Sequence, residues 1–94
     1  MGSEPRRYRV SLKPSAERKL AGIPKKDQKK VARKIEELAE NPRPHGVEKI
    51  QGGEGLYRAR AGDYRIIYQV EDKMLVVLVV TIGHRGDVYR VLKR

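Results

Sequence analysis

The sequence predicts an α+β domain: a short N-terminal strand, a helical hairpin packed on a mainly antiparallel sheet, and a short C-terminal helix. Three observations predict it. Apolar residues recur at helical spacing between Pro14 and Ala39. The period changes after the break Asn41-Pro42-Arg43-Pro44, and the strand-like runs that follow are joined by hairpin-length connections. Ninety-four residues hold one compact core, so residues 1–94 read as a single domain.

Tyr8 to Leu12 alternates apolar and polar residues and ends at Lys13-Pro14, a short strand leading into a helix start. Pro14 suits a first helical turn. Ala16, Leu20 and Ile23 then follow at helical spacing, and Gly22 with Pro24 marks a stop and a fresh start. From Pro24 onward, Gln28, Val31, Ala32, Ile35, Leu38 and Ala39 share one face, while Lys25, Lys26, Lys29, Lys30, Arg33, Lys34 and Glu37 lie elsewhere. The two prolines end this helix, because proline lacks an amide donor and forces its predecessor out of helical geometry.

Val47–Ile50, Leu56–Ala61, Tyr64–Val70 and Met74–Ile82 read as strands. Gly62-Asp63 places glycine first in a two-residue connection, as a type II′ hairpin requires, and Glu71-Asp72-Lys73 forms the next joint. Met74–Ile82 is apolar without alternation, which predicts a central strand covered on both faces, with the helices on one of them. Beyond Gly83, Gly86-Asp87 offers a helix cap and Val88, Val91 and Leu92 a short apolar face.

Composition narrows the function. Lys and Arg number 22 against 12 Asp and Glu, a formal charge of +10 that attracts polyanions, nucleic acid first among them. No cysteine is present, which excludes disulfides, thiolate zinc sites and thiol nucleophiles and fits a reducing cytoplasm. The apolar run Met74–Ile82 is too short for a membrane-spanning helix, and Met1–Arg9 has no apolar core of a signal peptide. The expectation is a cytoplasmic protein without membrane contact.

The chemistry concentrates after residue 55. The strand pleat puts Arg58 and Arg60 on one face, with Tyr57, Ala59 and Ala61 on the other. Across the hairpin Arg65 joins them if the register keeps it there, followed by Ile67 and Gln69, while Tyr64, Ile66, Tyr68 and Val70 make the better core surface. Three guanidiniums on one open face repel unless an anion sits among them; a solvated basic face is the plain alternative.

The segment Gly55-Leu-Tyr-Arg-Ala-Arg-Ala-Gly-Asp-Tyr-Arg-Ile-Ile-Tyr-Gln-Val70, followed by the apolar strand and Gly83-His-Arg-Gly-Asp-Val-Tyr89, resembles the RelE branch of the RelE/ParE toxin superfamily. The resemblance runs from Tyr8 to Leu92. It implies a RelE-like fold and the toxin of a type II toxin-antitoxin system, an endoribonuclease that cleaves mRNA in the ribosomal A site and is held inactive by a RelB-like antitoxin. Arg58 and Arg60 stand where many members carry lysines. Arg65 matches the arginine after the hairpin, and Arg85 and Tyr89 match an arginine and tyrosine after the central strand.

RNA carries its own nucleophile, the 2′-hydroxyl, so the implied reaction needs neither metal nor cofactor. Tyr89 is the expected base: a free phenol with a pKa of about 10 is favoured as phenolate by neighbouring arginines. Arg58, Arg60 and Arg65 would bind RNA and stabilise the pentacovalent phosphate, and Arg85 would contact the scissile phosphate or the leaving oxygen. His84 sits where some relatives carry a histidine and is a second candidate acid or base; a surface or structural role is the alternative. His45, beside two prolines, reads as a loop residue. Lys29 and Lys30 are further RNA-binding candidates on a helix face that solvation alone would also explain. Competing functions are a ParE-like gyrase inhibitor and a non-catalytic RNA-binding module.

Overall fold

The computed structural model describes residues 7–52 and 55–84. The elements are β1 (Arg9–Leu12), α1 (Pro14–Ala21), α2 (Lys25–Glu40), β2 (Glu48–Lys49), β3 (Leu56–Ala61), β4 (Tyr64–Glu71) and β5 (Val76–His84). The strands form one sheet in the order β1-β5-β4-β3-β2. Among these strands only β1 runs parallel to its neighbour, pairing Arg9 with Val76 through Leu12 with Val79, and every other pair is antiparallel. The α+β expectation holds. The expected terminal helix, including the Gly86-Asp87 cap, falls outside the described residues.

The helical hairpin follows from local chemistry. Pro14 opens α1, and the Gly22 amide closes it by donating to the Arg18 and Lys19 carbonyls at 3.2 and 3.1 Å. Gln28 ties the helices together, its side-chain amide donating to the Leu20 carbonyl at 2.8 Å. Helix α2 turns Val31, Ile35, Leu38 and Ala39 inward and stops where Asn41 swings to φ −147° ahead of Pro42.

Beneath the helices, Ala16, Val31, Leu38, Ile66, Tyr68, Val77, Val79 and Ile82 are fully buried. Each of the larger aliphatic side chains contributes about 1.5–3 kcal/mol by leaving water. A bulge between Ile67 and Tyr68 adjusts the register: Ile67 faces Thr81 but Tyr68 faces Val79, so Val80 is the extra residue on β5. That inserted residue lets Val79 and Ile82 share the helix-facing side although they are an odd number of residues apart.

Two strand boundaries differ from expectation. The run Val47–Ile50 yields only Glu48–Lys49, because Gly46 and Gly52 at φ +102° and +77° bend the chain away on either side. The strand expected from Met74 begins at Val76, since the turn takes Leu75 at φ +54° and leaves Met74 70% exposed. The same turn is held to the loop after α2. Arg43 forms a two-pronged pair with Asp72 at 2.8 and 3.1 Å and donates to the Tyr57 hydroxyl at 3.0 Å, while the Tyr8 hydroxyl donates to Asp72 at 2.9 Å. Tyr57 stacks on Tyr68, whose buried hydroxyl donates to the Pro42 carbonyl at 2.6 Å.

Candidate active site

The site is built on the sheet face away from the helices. Ala59 and Ala61 are buried among the helix-facing core, so alternation sends Arg58 and Arg60 to the opposite side. The hairpin fixes Arg65 beside them. Gly62 takes φ +64°, the left-handed geometry that its two-residue turn requires, and the resulting register sets Arg60 opposite Arg65 and Arg58 opposite Ile67. On the far side of Arg65 stands Gly83 of β5, a buried position of that strand. An open cleft of about 440 Å³ results, lined by Gly46, Glu48, Arg58, Arg60 and Arg65.

The three arginines differ in surroundings. Arg58 is half-buried and forms an ion pair with Glu48, its direct cross-strand partner on β2. Arg65 donates through Nη1 to the Tyr64 carbonyl at 3.3 Å. Among the described residues, no carboxylate pairs with Arg60 or Arg65, which face each other across the strand pair. Like charges so placed cost about 0.2–1 kcal/mol, a cost that a bound anion would remove. Beside the cleft this face is not open throughout: Ile67 and Thr81 are buried there, outside the helix-side core.

The structure brings together Arg58, Arg60 and Arg65, and places the other described candidates elsewhere. His84 pairs in register with Tyr64, the two rings meeting edge to face at 5.4 Å on the helix side. Lys29 and Lys30 lie on α2, also behind the sheet; Lys29 borders a groove with Leu12, Leu20 and Ala32, and Lys30 lies near Gly62. His45 is an exposed loop residue. Arg85 and Tyr89 fall outside the described residues. Glu48 is the cleft residue that sequence reasoning missed: its opposition to Arg58 depends on a strand register that no local pattern reveals. Among the described residues, no group of three or more His, Asp or Glu could hold a metal ion, and no helix is long and apolar enough to cross a membrane.

A helical hairpin behind a small sheet, with a cationic cleft on its front, defines a basic domain suited to gripping a phosphate backbone. Residues 10–89 match the family described as ParE toxin of type II toxin-antitoxin system, parDE. The chain is 33% identical to toxin RelE of Mycobacterium tuberculosis, covering 88% of this chain and 87% of that one. It is 36% identical to the mRNA interferase toxin RelE of Escherichia coli K12, covering 77% and 76%. The archaeal RelE in its complex with RelB from Pyrococcus horikoshii superposes with a TM-score of 0.74 at 33% identity, over 84% of this chain and 96% of that one. The chain belongs to the RelE/ParE toxin superfamily, on its RelE-type branch.

Proposed function

We propose that this toxin is a metal-independent endoribonuclease that cuts mRNA in the ribosomal A site and is silenced by a RelB-like antitoxin. The observation that carries the reading is the cleft in which Arg58, Arg60 and Arg65 converge on one sheet face. The relative named mRNA interferase, which aligns with most of this chain, supports the same substrate, and the archaeal RelE–RelB complex supports the partner.

In the proposed reaction the 2′-oxygen loses its proton and attacks the adjacent phosphorus, the bond from phosphorus to the 5′-oxygen breaks, and that oxygen takes up a proton from water, leaving a 2′,3′-cyclic phosphate and a 5′-hydroxyl. Arg60 and Arg65 stabilise the added charge on the pentacovalent phosphate, as preorganised donors do in a site already shaped for them. Arg58, steadied by Glu48, orients the strand. Tyr89 takes the proton and Arg85 meets the leaving oxygen, roles that rest on the resemblance. Among the described residues Glu48 is the one carboxylate lining the cleft, which makes it a second proton acceptor to test beside Tyr89.

Incubation of the purified chain with mRNA, with and without translating ribosomes, tests the reading, with gyrase supercoiling assayed in parallel. Cleavage that depends on ribosomes and intact supercoiling are expected. Supercoiling inhibited without any RNA cleavage would replace it with the alternative reading, a ParE-like gyrase inhibitor.

A further inference from the structure

A second basic cleft lies on the helix side of the same sheet end. It measures about 310 Å³ and is lined by Arg18 and Lys19 from the last turn of α1, Gly22 and Ile23 beyond it, and Tyr64, Ile82, Gly83 and His84 from β4 and β5. Arg18 and Lys19 are exposed, and no carboxylate pairs with either among the described residues, whereas Arg7, Lys34, Arg43 and Arg58 each have one. Their place at a helix C-terminus explains positive charge, since cations there are favoured by about 0.3–1 kcal/mol. It does not explain the aromatic floor, where exposed His84 rests edge-on against Tyr64.

Cations beside an exposed ring are the chemistry of single-stranded nucleic-acid binding: phosphates pair with the cations and a base stacks on the ring. We propose that this cleft is a second binding site for the RNA strand, taking one phosphate at each of Arg18 and Lys19 and one base against His84. The inference rests on the ribonuclease reading and extends it. Gly83 lines this cleft and is paired in register with Arg65, so the two clefts lie on opposite faces of the same end of the sheet. An acidic protein segment would meet the same two cations, and the test separates it from RNA.

The test uses the full chain and its R18A/K19A double variant, both changes being at exposed helical positions where alanine is the best helix former. Non-cleavable 2′-O-methyl RNA probes of about 12 and about 3 nucleotides separate a strand long enough to reach both clefts from one that fills only the first. For the longer probe the variant should bind roughly tenfold more weakly, and its dependence of log K on log salt should flatten by about 1.4, which is about 0.7 for each single-strand phosphate no longer neutralised. The short probe should bind both proteins equally, and a 4-thiouridine in the longer one should crosslink to the peptide carrying Tyr64 or His84. Unchanged binding of the longer probe, in a protein that still cleaves mRNA, overturns this inference and leaves the ribonuclease reading standing. A variant that loses only antitoxin binding assigns the cleft to an acidic protein and also overturns it. A wild-type chain that neither binds nor cleaves RNA defeats both readings.

Discussion

Replacing Arg65 by alanine should abolish most of the activity while leaving stability nearly unchanged. Among the described residues Arg65 donates one 3.3 Å hydrogen bond, to the Tyr64 carbonyl, faces the like charge of Arg60, and has Gly83 as its register partner on β5. Relief of a directly opposed like-charge pair is worth about 0.2–1 kcal/mol, and the missing bond, which is partly buried, offsets about 0.5–1 kcal/mol of that. The net change is small, so the melting temperature should stay within about 4–8 °C of the wild type, the shift that 1 kcal/mol makes in a domain of this size. Catalysis has no such compensation: losing one preorganised donor to a transition-state oxyanion costs roughly 10²–10³-fold in rate. Thermal unfolding and single-turnover mRNA cleavage on the same preparation measure both. A variant that melts normally and cleaves at the wild-type rate would remove Arg65 from the reaction, and one that loses activity only because it unfolds would make the arginine structural.

Tyr89→Phe should slow single-turnover cleavage while sparing RNA affinity, because only the ionisable oxygen is lost; Glu48→Gln runs alongside, and a deeper loss there with Tyr89→Phe silent would reassign the base. Asp72 is held below the ordinary carboxylate pKa, chiefly by its hydrogen bond from Arg43 and next by that from Tyr8. A depressed carboxyl contributes stability that is present above its unfolded pKa and lost as pH falls through the folded one. Asp72→Asn should therefore melt lower than wild type near neutrality and converge with it in acid, and a constant gap across that range would refute the linkage. Burial pushes the Tyr68 hydroxyl well above its usual pKa, so the unfolded chain releases that proton first and stability should fall as pH rises past about 10. Tyr68→Phe should flatten that alkaline decline in melting profiles and, by stranding the Pro42 carbonyl, cost about 1–3 kcal/mol at neutral pH.

What sequence disclosed and what it hid divide along the range of the forces involved. The helical hairpin was legible because Pro14, Gly22, Pro24 and Pro42 punctuate it locally and the apolar face of α2 keeps its period. Arg58, Arg60 and Arg65 were legible as a group because strand parity and a two-residue turn together leave little choice of face. Parity alone also determines which side His84 takes once it is paired with Tyr64, but that pairing passes through the Val80 bulge, and no residue type announces a bulge inside an unbroken apolar run. Glu48 was hidden for the same reason, its meaning lying in a cross-strand neighbour. The clasp of Arg43, Asp72, Tyr8 and Tyr57 joins residues far apart in the chain, of which Arg43 and Asp72 read as loop and turn residues and Tyr8 and Tyr57 as core by strand parity.

The parallel pairing of β1 with β5 bears on how the toxin comes into being. Arg9–Leu12 precedes nearly all of the fold in order of synthesis, yet its sheet partner, Val76–Val79, follows most of it. The hairpin of β3 and β4, which carries the three arginines, needs only neighbours in sequence and can form early, but the strand that holds the N-terminal segment in place arrives after most of these elements have been made. Contacts this distant along the chain slow folding, because ordering so long a loop is costly before any packing rewards it. A nascent toxin therefore passes through an interval in which its edge strand is unpaired and its core unsealed, an interval in which an antitoxin already waiting nearby could meet it before the fold is complete.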